Sequence, residues 1–361
     1  MVVEIDGSVL EGGGQILRSA VAFGAVLGKT VVVEKIRAKR KTPGLRPQHL
    51  HGILAVKELT RAHVKGTHVG STRIEFIPQN RKGGQLTIDI GTAGAITLVL
   101  QGVMIVAPYC EQPVNAQLSG GTNVAWSPPI EYLQHVLLPR LQQMNYQGMV
   151  EIEKRGYYPR GGGRINTNLF PSSKLTALCL KKDQETPKIF GLSHCGSLPR
   201  HVAERQANAA KNTLSQGGFQ IETIEIEHHS DTLSPGSGIS LWTSKQKNRI
   251  MGADALGQRK LKAEVVGEQA ATSLIQELKT SAPVDVHQAD MIIPYIALAE
   301  GESSLFVSEL AMHTITNIHV AEKFLNIKFD VKGEVGAPAH ISVTGFGFEG
   351  DGVSPEPSQI D

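Results

Sequence analysis

Residues 15–33 read Gln15-Ile-Leu-Arg18-Ser-Ala-Val-Ala-Phe-Gly-Ala-Val-Leu27-Gly-Lys-Thr30-Val-Val-Val33. The first part, 15–27, is almost wholly apolar and contains no proline, which predicts a largely buried helix. The β-branched run 30–33 predicts a strand directly after it. An amphipathic helix over 48–61 and a strand over 73–77 follow, so the chain begins with the order helix, strand, helix, strand.

The same order recurs twice along the chain. The second copy is predicted at 95–106, 113–118, 129–144 and 149–153. The third copy is predicted at 289–299, 304–310, 316–325 and 327–331. Such alternation predicts an α/β (α+β) protein built from three repeated βαβα-type units, each with a sheet backed by two helices.

The pattern breaks between the second and third copies. Within this stretch the sequence predicts a helix over 199–215, a strand over 221–227 and a helix over 262–278. We therefore expect a large catalytic domain formed by 1–181 plus 283–345, with a smaller α+β domain, 182–282, inserted in it. Residues 346–361 are rich in Gly, Pro, Ser and acidic residues, which predicts a flexible tail.

The composition describes an ordinary soluble protein. Of 361 residues 40% are hydrophobic and 19% are charged, and the formal net charge is +2. The three cysteines are far apart, which argues against a disulfide framework and a structural zinc site. The N-terminus lacks the pattern of a signal peptide, and the longest apolar stretch, 95–110, is too short to cross a bilayer. We expect a cytoplasmic protein.

A basic segment stands out against this neutral background. Residues 36–50 hold several arginines, lysines and a histidine and no carboxylate, and they follow the glycine run Gly12–Gly14. Clustered guanidiniums beside a backbone without side chains suit a close approach by phosphates. This pairing predicts a phosphate-binding site near the N-terminus.

Gln15 and Arg18 share one face of the first helix because they are three residues apart. Burying an arginine without a partner costs several kcal/mol, so Arg18 should reach an anion or line a cleft. The alternative is a structural ion pair with Glu11. The nearby basic segment favours the phosphate site.

Neither common nucleotide-binding motif is present, because the chain lacks both Gly-x-x-x-x-Gly-Lys-Ser/Thr and a Gly-x-Gly-x-x-Gly after a strand. A nucleotide site here must be of a less common type. No metal motif stands out either. A hard divalent cation held by one carboxylate and by substrate phosphates leaves little trace in a sequence, and Glu11 could supply that carboxylate.

His313 opens the sequence His313-Thr-Ile-Thr316-Asn317. Thr314 or Thr316 would make a good helix N-cap, which would place His313 just before a helix N-terminus. Free N–H groups there favour a phosphate, and a neutral imidazole could attack phosphorus to form a phosphoramidate. The alternative is a histidine that is only packed or hydrogen-bonded.

Five segments together resemble the RNA 3'-terminal phosphate cyclases over essentially the whole chain up to about Gly345. They are Glu11–Arg18, Ile36–Arg40, Pro43–His49, Arg155–Gly163 and His313–Asn317. The resemblance implies three βαβα-type units resembling a translation initiation factor C-terminal domain, with a small inserted domain. It further implies ATP-dependent conversion of an RNA 3'-phosphate to a 2',3'-cyclic phosphate, through adenylylation of an enzyme histidine and AMP transfer to the RNA phosphate.

The resemblance also implies roles for single residues. His313 looks like the adenylylated nucleophile, and Glu11 matches a carboxylate that can hold Mg²⁺ or Mn²⁺. Arg18, Arg40 and His49 match residues that hold phosphates, with Arg37 and Gln48 beside them. The positions that match the adenosine site are Gln101, Pro128, His287, Gln288, Ala289, Asp290 and Met291. His287 departs from the family pattern, in which a tyrosine stands at this position.

Two other functions fit the residues less well than the cyclase activity. A non-catalytic branch of the same family works in ribosomal RNA maturation as a binding or scaffold protein. Its members lack the nucleophilic histidine and much of the basic cluster, and this chain retains both. An enolpyruvyl-transferase-like enzyme would share a repeated architecture and a need for arginines, but it needs no histidine at a helix start.

Overall fold

The computed structural model describes residues 1–182, 184–244 and 248–350, and these residues form a mixture of strands and helices. Within these residues the strands form four four-stranded sheets, each of which contains both parallel and antiparallel pairs. The predicted α/β class is confirmed.

The first unit shows how the sequence produces a sheet covered by helices. Its buried β-branched run forms a strand between an apolar helix and an amphipathic one. The sheet order is β1-β2-β4-β3, with β1 parallel to β2 and the other pairs antiparallel. The elements are β1 (Val2–Asp6), α1 (Gly14–Leu27), β2 (Thr30–Glu34), α2 (Pro47–Thr60), β3 (His63–Lys65) and β4 (Ile74–Ile77).

The second unit follows the same pairing scheme, with the sheet order β5-β6-β8-β7. The helical segment predicted over 129–144 contains a π-helical turn, Leu133–Leu137. The elements are β5 (Gly84–Asp89), α3 (Ile96–Val106), a 3₁₀ turn (Ala107–Tyr109), β6 (Val114–Gly120), α4 (Ile130–Tyr132), α5 (Leu138–Gln142), β7 (Gly148–Lys154) and β8 (Gly163–Leu169).

A separate α+β layer lies between β9 (Cys179–Leu180) and the rest of the third unit. Its sheet has the order β11-β10-β12-β13, and two helices cover it around an apolar core of its own. The elements are β10 (Ile189–Gly196), α6 (His201–Gln216), β11 (Ile221–His229), β12 (Gly236–Thr243), β13 (Gly252–Leu256) and α7 (Ala263–Lys279).

The third unit then continues and pairs its strands in the order β15-β16-β14-β9. The elements are α8 (Val286–Leu298), β14 (Glu302–Val307), α9 (Met312–Phe324), β15 (Asp330–Lys332) and β16 (Ala339–Thr344). The sequence predicted four elements in each unit, in the order helix, strand, helix, strand. In the structure each unit also begins with a strand and has a further strand near its end.

Helix α1 is the centre of the large core. Nearly all its residues are buried, and it packs against α2, α3 and α9, with Phe23 stacked on Phe324 at 5.7 Å between ring centroids. This packing follows from the apolar composition of α1, which leaves only a few polar side chains to be accommodated. Helices from all three units therefore meet around α1.

The end of the described chain is held against the third unit. Phe346 and Phe348 donate backbone N–H bonds to Ala297 and Leu298, and Phe348 packs edge-on against Tyr109. Residues 351–361 of the predicted tail lie outside the described residues. Within the described ranges, no helix has the length and apolar character required to cross a membrane.

A buried arginine of the second unit, Arg155, contacts both its own unit and the separate layer. Arg155, which follows β7, contacts the Glu131 carboxylate, and both side chains are almost fully buried. The Arg155 guanidinium also donates to Asn123 Oδ1 at 3.0 Å and to Glu227 of β11 at 2.7 and 2.9 Å. The positive charge of Arg155 holds the pKa of Glu131 at about 2, although burial alone would raise it.

We predict that Glu131→Gln destabilises the protein by about 3 kcal/mol, because it leaves a buried guanidinium short of one counter-charge. Denaturant unfolding followed by circular dichroism measures this change. Glu153→Gln is the matched control, since Glu153 forms an exposed pair with Arg164 at 2.8 Å. The control should cost less than about 1 kcal/mol. Equal losses in the two variants would contradict the role assigned to the buried pair.

Candidate active site

The polar side chains of α1 connect helices of the first and third units. Gln15 Nε2 donates to Asp290 Oδ2 of α8 at 2.8 Å. Ser19 Oγ donates to Asn317 Oδ1 of α9 at 2.6 Å, and Asn317 Nδ2 donates to the Asp290 carbonyl at 2.6 Å. These bonds fix α1, α8 and α9 relative to one another along one edge of a cleft.

Arg18 lies in the same cleft. Its Nε donates to Gln101 Oε1 of α3 at 3.1 Å. Burial lowers the pKa of Arg18 to about 10, while Asp290 opposes the shift. The guanidinium is therefore charged at neutral pH yet poorly hydrated, which favours a bound anion. The alternative partner, Glu11, contacts Arg40 instead.

Glu11 lies between the basic segment and the third unit. Arg40 Nη2 contacts Glu11 Oε1, and His313 Nε2 is 3.9 Å from the same oxygen. The Glu11 side chain is only 10% exposed, and its Oε2 has no hydrogen-bond partner among the described residues. A buried carboxylate oxygen without a partner is rare in proteins and suits a cation or a donor from a ligand.

His313 lies in the first turn of α9, not before it. The helix begins at Met312 with Ala311 as its N-cap, so the predicted capping by Thr314 or Thr316 is wrong. Thr314 is buried, and the Thr316 hydroxyl donates to the Met312 carbonyl one turn back. Both threonines are therefore inside the helix, where they cannot cap it.

The His313 side chain is half exposed, so its ring is accessible to a ligand. Burial lowers the pKa of His313, with Arg18 and Arg40 acting in the same direction and Asp290 opposing them. The imidazole is therefore neutral at pH 7, and a neutral imidazole is nucleophilic.

His49 is also neutral, but it is buried. Burial and the charges of Arg18, Arg37 and Arg46 lower the pKa of His49 to about 3. Its Nδ1 accepts a hydrogen bond from the Arg46 backbone N–H at 3.1 Å, so Nε2 carries the proton. A Cβ atom added at Gly14 would lie 2.1 Å from Nε2, which explains the glycine at the start of α1.

Arg37 and Gln48, which the sequence also predicted for the site, lie near His49. Arg37 Nη1 donates to the carbonyls of Thr42 and Gly44 at 2.7 and 2.9 Å, so Arg37 fixes the basic loop. Burial and Arg46 lower the pKa of Arg37. Gln48 extends toward the loop around Gly94, which belongs to the second unit.

The residues predicted for adenosine binding divide into two groups. Gln101 Nε2 contacts Met291 Sδ at 3.3 Å, and both line the cleft. Pro128 is anchored near them, since its carbonyl accepts from Thr97 Oγ1 of α3 at 2.8 Å. The exposed His287 meets the Tyr132 ring edge-on at 6.3 Å.

Gln288 and Ala289 form the second group, and neither has exposed surface. Gln288 accepts from Arg140 Nε at 2.9 Å and donates to the Ile250 carbonyl at 3.1 Å. In this structure both residues contribute to the core. Their predicted contact with adenosine stays a prediction.

Sequence reasoning did not identify Ser19, Asn317 and Arg46 as parts of the site. Ser19 follows Arg18 directly and lies four residues after Gln15, and Asn317 lies four residues after His313 on α9. Helical spacing could have found both, because residues three or four apart share a face. Arg46 is part of the basic segment and bonds to His49 through its backbone N–H.

Part of the cleft is a small cavity of about 20 Å³ lined by Gln15, Arg18, Ser19, Gln101, Met291 and Asn317, among others. Glu11, Arg40 and His313 are not in its lining but lie next to one another beside it, and together these groups form the candidate site. Its chemistry combines a neutral imidazole, two arginines and a carboxylate with a free oxygen. No group of three or more His, Cys, Asp or Glu side chains suited to a metal occurs in the described ranges. A metal here would have to share its coordination with a bound phosphate.

The sequence matches the family model described as RNA 3'-terminal phosphate cyclase over residues 9–331. The chain is 47% identical to the RNA 3'-terminal phosphate cyclase of Thermococcus kodakarensis, over 94% of this chain and 98% of that protein. It is 45% identical to the protein of the same name from Pyrobaculum aerophilum, over 96% and 99% of the two chains. It is 44% identical to the RNA 3'-terminal phosphate cyclase of Methanosarcina acetivorans, over 93% of this chain and 98% of that protein. The chain therefore belongs to the RNA 3'-terminal phosphate cyclase family.

Proposed function

We propose that this protein uses ATP to convert the 3'-phosphate of RNA to a 2',3'-cyclic phosphate, with His313 as the nucleophile. Family membership supports the cyclase activity. The observation that carries the mechanism is the position of His313. A neutral, half-exposed imidazole lies within 3.9 Å of Glu11 and within the electrostatic reach of Arg18 and Arg40.

The two arginines suit phosphate binding for different reasons. Arg18 is charged in a poorly hydrated cleft and has only Gln101 as its hydrogen-bond partner among the described residues. Arg40 contacts Glu11, but 46% of its side chain is exposed, so one side is open to a ligand. Arginine is well matched to phosphate because its planar donors can bond two oxygens at once.

The nucleoside part of ATP would lie along α3 and α8. Gln101, Met291 and Pro128 supply an amide, a thioether and an apolar ring there, as their contacts indicate. His287 offers a small aromatic face in place of the tyrosine found in relatives. Asp290 is engaged by Gln15 and Asn317, so it holds the helices together beside the bound nucleoside.

The proposed reaction has three steps. First, His313 Nε2 attacks the α-phosphorus of ATP, a P–N bond forms, and diphosphate leaves as its P–O bond breaks. Second, an oxygen of the RNA 3'-phosphate attacks the same phosphorus, and the imidazole leaves. Third, the vicinal 2'-hydroxyl loses its proton and attacks the RNA phosphorus, and AMP leaves as the cyclic ester closes.

A divalent cation, Mg²⁺ or Mn²⁺, is part of the proposal. The free Glu11 Oε2 fits a hard cation, which takes oxygen ligands and shares them with phosphates. When bound, such an ion supplies positive charge beside the triphosphate. A cytoplasmic location also remains part of the proposal.

The alternative function is a non-catalytic RNA-binding role in ribosome biogenesis. That role needs neither a nucleophilic histidine nor a cluster of arginines around it. The charges of Arg18 and Arg40 act on His313 in this structure, and this proximity favours the enzyme. The direct test supplies ATP and an oligoribonucleotide ending in a 3'-phosphate. Cyclisation makes that end resistant to phosphatase, whereas persistent sensitivity would favour the binding role.

We predict that His313→Ala abolishes adenylylation of the protein by α-labelled ATP. The wild-type adduct should be labile in acid and stable in alkali, as expected for a P–N bond. His319→Ala is the matched control because His319 lies on the same helix and is partly buried, while the charges that act on it belong to Lys323, Glu322 and Lys328. A labelled adduct that persists in His313→Ala would refute the nucleophile assignment.

We further predict that Arg18→Ala and Arg40→Ala each lose about 2 kcal/mol or more of transition-state stabilisation, because each removes a positive charge from the phosphates. This loss corresponds to a rate reduction of roughly thirtyfold or more in single-turnover adenylylation. Arg164→Ala removes an exposed arginine that is paired with Glu153, and it should leave the rate unchanged. Near-normal rates in Arg18→Ala or Arg40→Ala would remove that residue from the phosphate site.

A further inference from the structure

A row of four side chains crosses the sheet of the third unit. Phe306 of β14 is opposite His340 of β16, and His340 is opposite Lys332 of β15. Directly opposed residues in a sheet lie on the same face. On the other side, Lys182, just beyond β9, places its Nζ 5.2 Å from the centroid of the Phe306 ring.

The row lies on the sheet face directed away from the core. The neighbouring residues Leu305 and Ile341 are fully buried against the helices, so the alternation of the strands turns Phe306 and His340 outward. The side chains line a groove of about 410 Å³ together with Pro338 and Ala339. None of the groove residues belongs to the cleft around His313.

The two rings in the groove are held in place. The Phe306 and His340 rings are 4.8 Å apart and tilted by 52°. His340 Nε2 is 2.8 Å from Ser304 Oγ, which fixes the imidazole over the sheet. A partly exposed aromatic pair with little freedom loses little conformational entropy when a flat ligand stacks on it.

Both ends of the row are positively charged. Lys332 pairs with Asp330 at 3.0 Å, but both side chains are more than half exposed, so the pair is weak and a phosphate can compete for the lysine. Ammonium groups that flank stacked rings match single-stranded nucleic acid, whose phosphates alternate with flat bases. Lysine is depleted in protein–protein interfaces, so the groove suits a protein partner less well.

The groove lies at the same edge of the sheet as His313. Strand β14 ends at Val307, one residue after Phe306, and α9 begins at Met312 on the opposite face. The connecting segment is bridged to the turn before β16 through Leu310 and Val335. Met312 and Val335 are exposed apolar residues at this edge. A single-stranded nucleic acid whose end lies at His313 can therefore pass over Met312 and Val335 to reach the groove.

We propose that the groove of Lys182, Phe306, His340 and Lys332 binds RNA nucleotides upstream of the 3'-phosphate. This inference rests on the proposed function, because it places the body of the RNA whose end reacts at His313. Lysines at the two ends bind the backbone, and a base stacks on the ring pair. Binding of this kind does not depend on sequence, because every base has a flat face.

Fluorescence anisotropy with labelled 3'-phosphorylated RNA tests the groove directly. One RNA is too short to reach it, at about three nucleotides, and the other is about fifteen nucleotides long. Phe306→Leu should weaken binding of the long RNA by about tenfold, since stacking of one base contributes about 1–3 kcal/mol. The double variant Lys182→Ala/Lys332→Ala should reduce the magnitude of the slope of log affinity against log salt concentration by about 1.4, because it removes two phosphate contacts.

The matched control is Lys188→Ala/Lys328→Ala, which removes two exposed lysines paired with Glu222 and Glu322 outside the groove. It should leave long-RNA affinity and salt slope close to wild type. Binding of the short RNA should be unchanged in every variant. The groove proposal is overturned if the groove variants bind long RNA like wild type, or if the control variant loses as much affinity as they do.

Adenylylation with ATP alone separates this proposal from the proposed function. Groove variants should form the adduct at the wild-type rate, because none of their residues lies in the cleft. If wild-type protein forms no adduct, the proposed function fails, and the anisotropy comparison still tests the groove. If groove variants lose adduct formation along with RNA binding, the residues act on the cleft, and the separate RNA groove is refuted.

Discussion

The burial of helix α1 is the constraint on which the site depends. Its apolar surface packs against α2, α3 and α9, and this packing draws Arg18 into a poorly hydrated cleft with it. A guanidinium in such a place is costly unless other groups compensate its charge. Gln101 contributes one oxygen and Asp290 a nearby charge, which leaves donors of Arg18 for an anion. Core packing and the proposed phosphate binding therefore depend on the same position of α1.

The pattern of apolar residues in the sequence predicted the helices and strands that carry the site residues. The helix over 15–27 and the strand over 30–33 were predicted nearly to the residue, because apolar composition and β-branching act locally. The bonds between Ser19 and Asn317 could not be predicted, since 298 residues separate them along the chain. Only the fold brings α1 and α9 together. The start of α9 was predicted four residues too late, because capping propensity favoured threonines that the core buries instead.

The arginine of one distinctive motif is part of the fold and not of the candidate site. The segment Arg155–Gly163 is among the most specific features of the sequence, yet Arg155 is buried in contacts with Glu131, Asn123 and Glu227. Its guanidinium joins the second unit to β11. A sequence pattern cannot distinguish an arginine that binds a ligand from one that joins two parts of the fold, because both need several acceptors at fixed positions.

His49 and His313 are both neutral, and they differ in how exposed their rings are. Burial is the largest cause of the lowered pKa in His49 and His313, and arginines add to it in both. His49 is only 6% exposed, and its Nδ1 is occupied by the Arg46 N–H, so its ring can only donate. His313 has a half-exposed ring, so an incoming phosphorus can approach one of its nitrogens. The same positive field thus keeps one imidazole as a fixed donor and leaves the other available as a nucleophile.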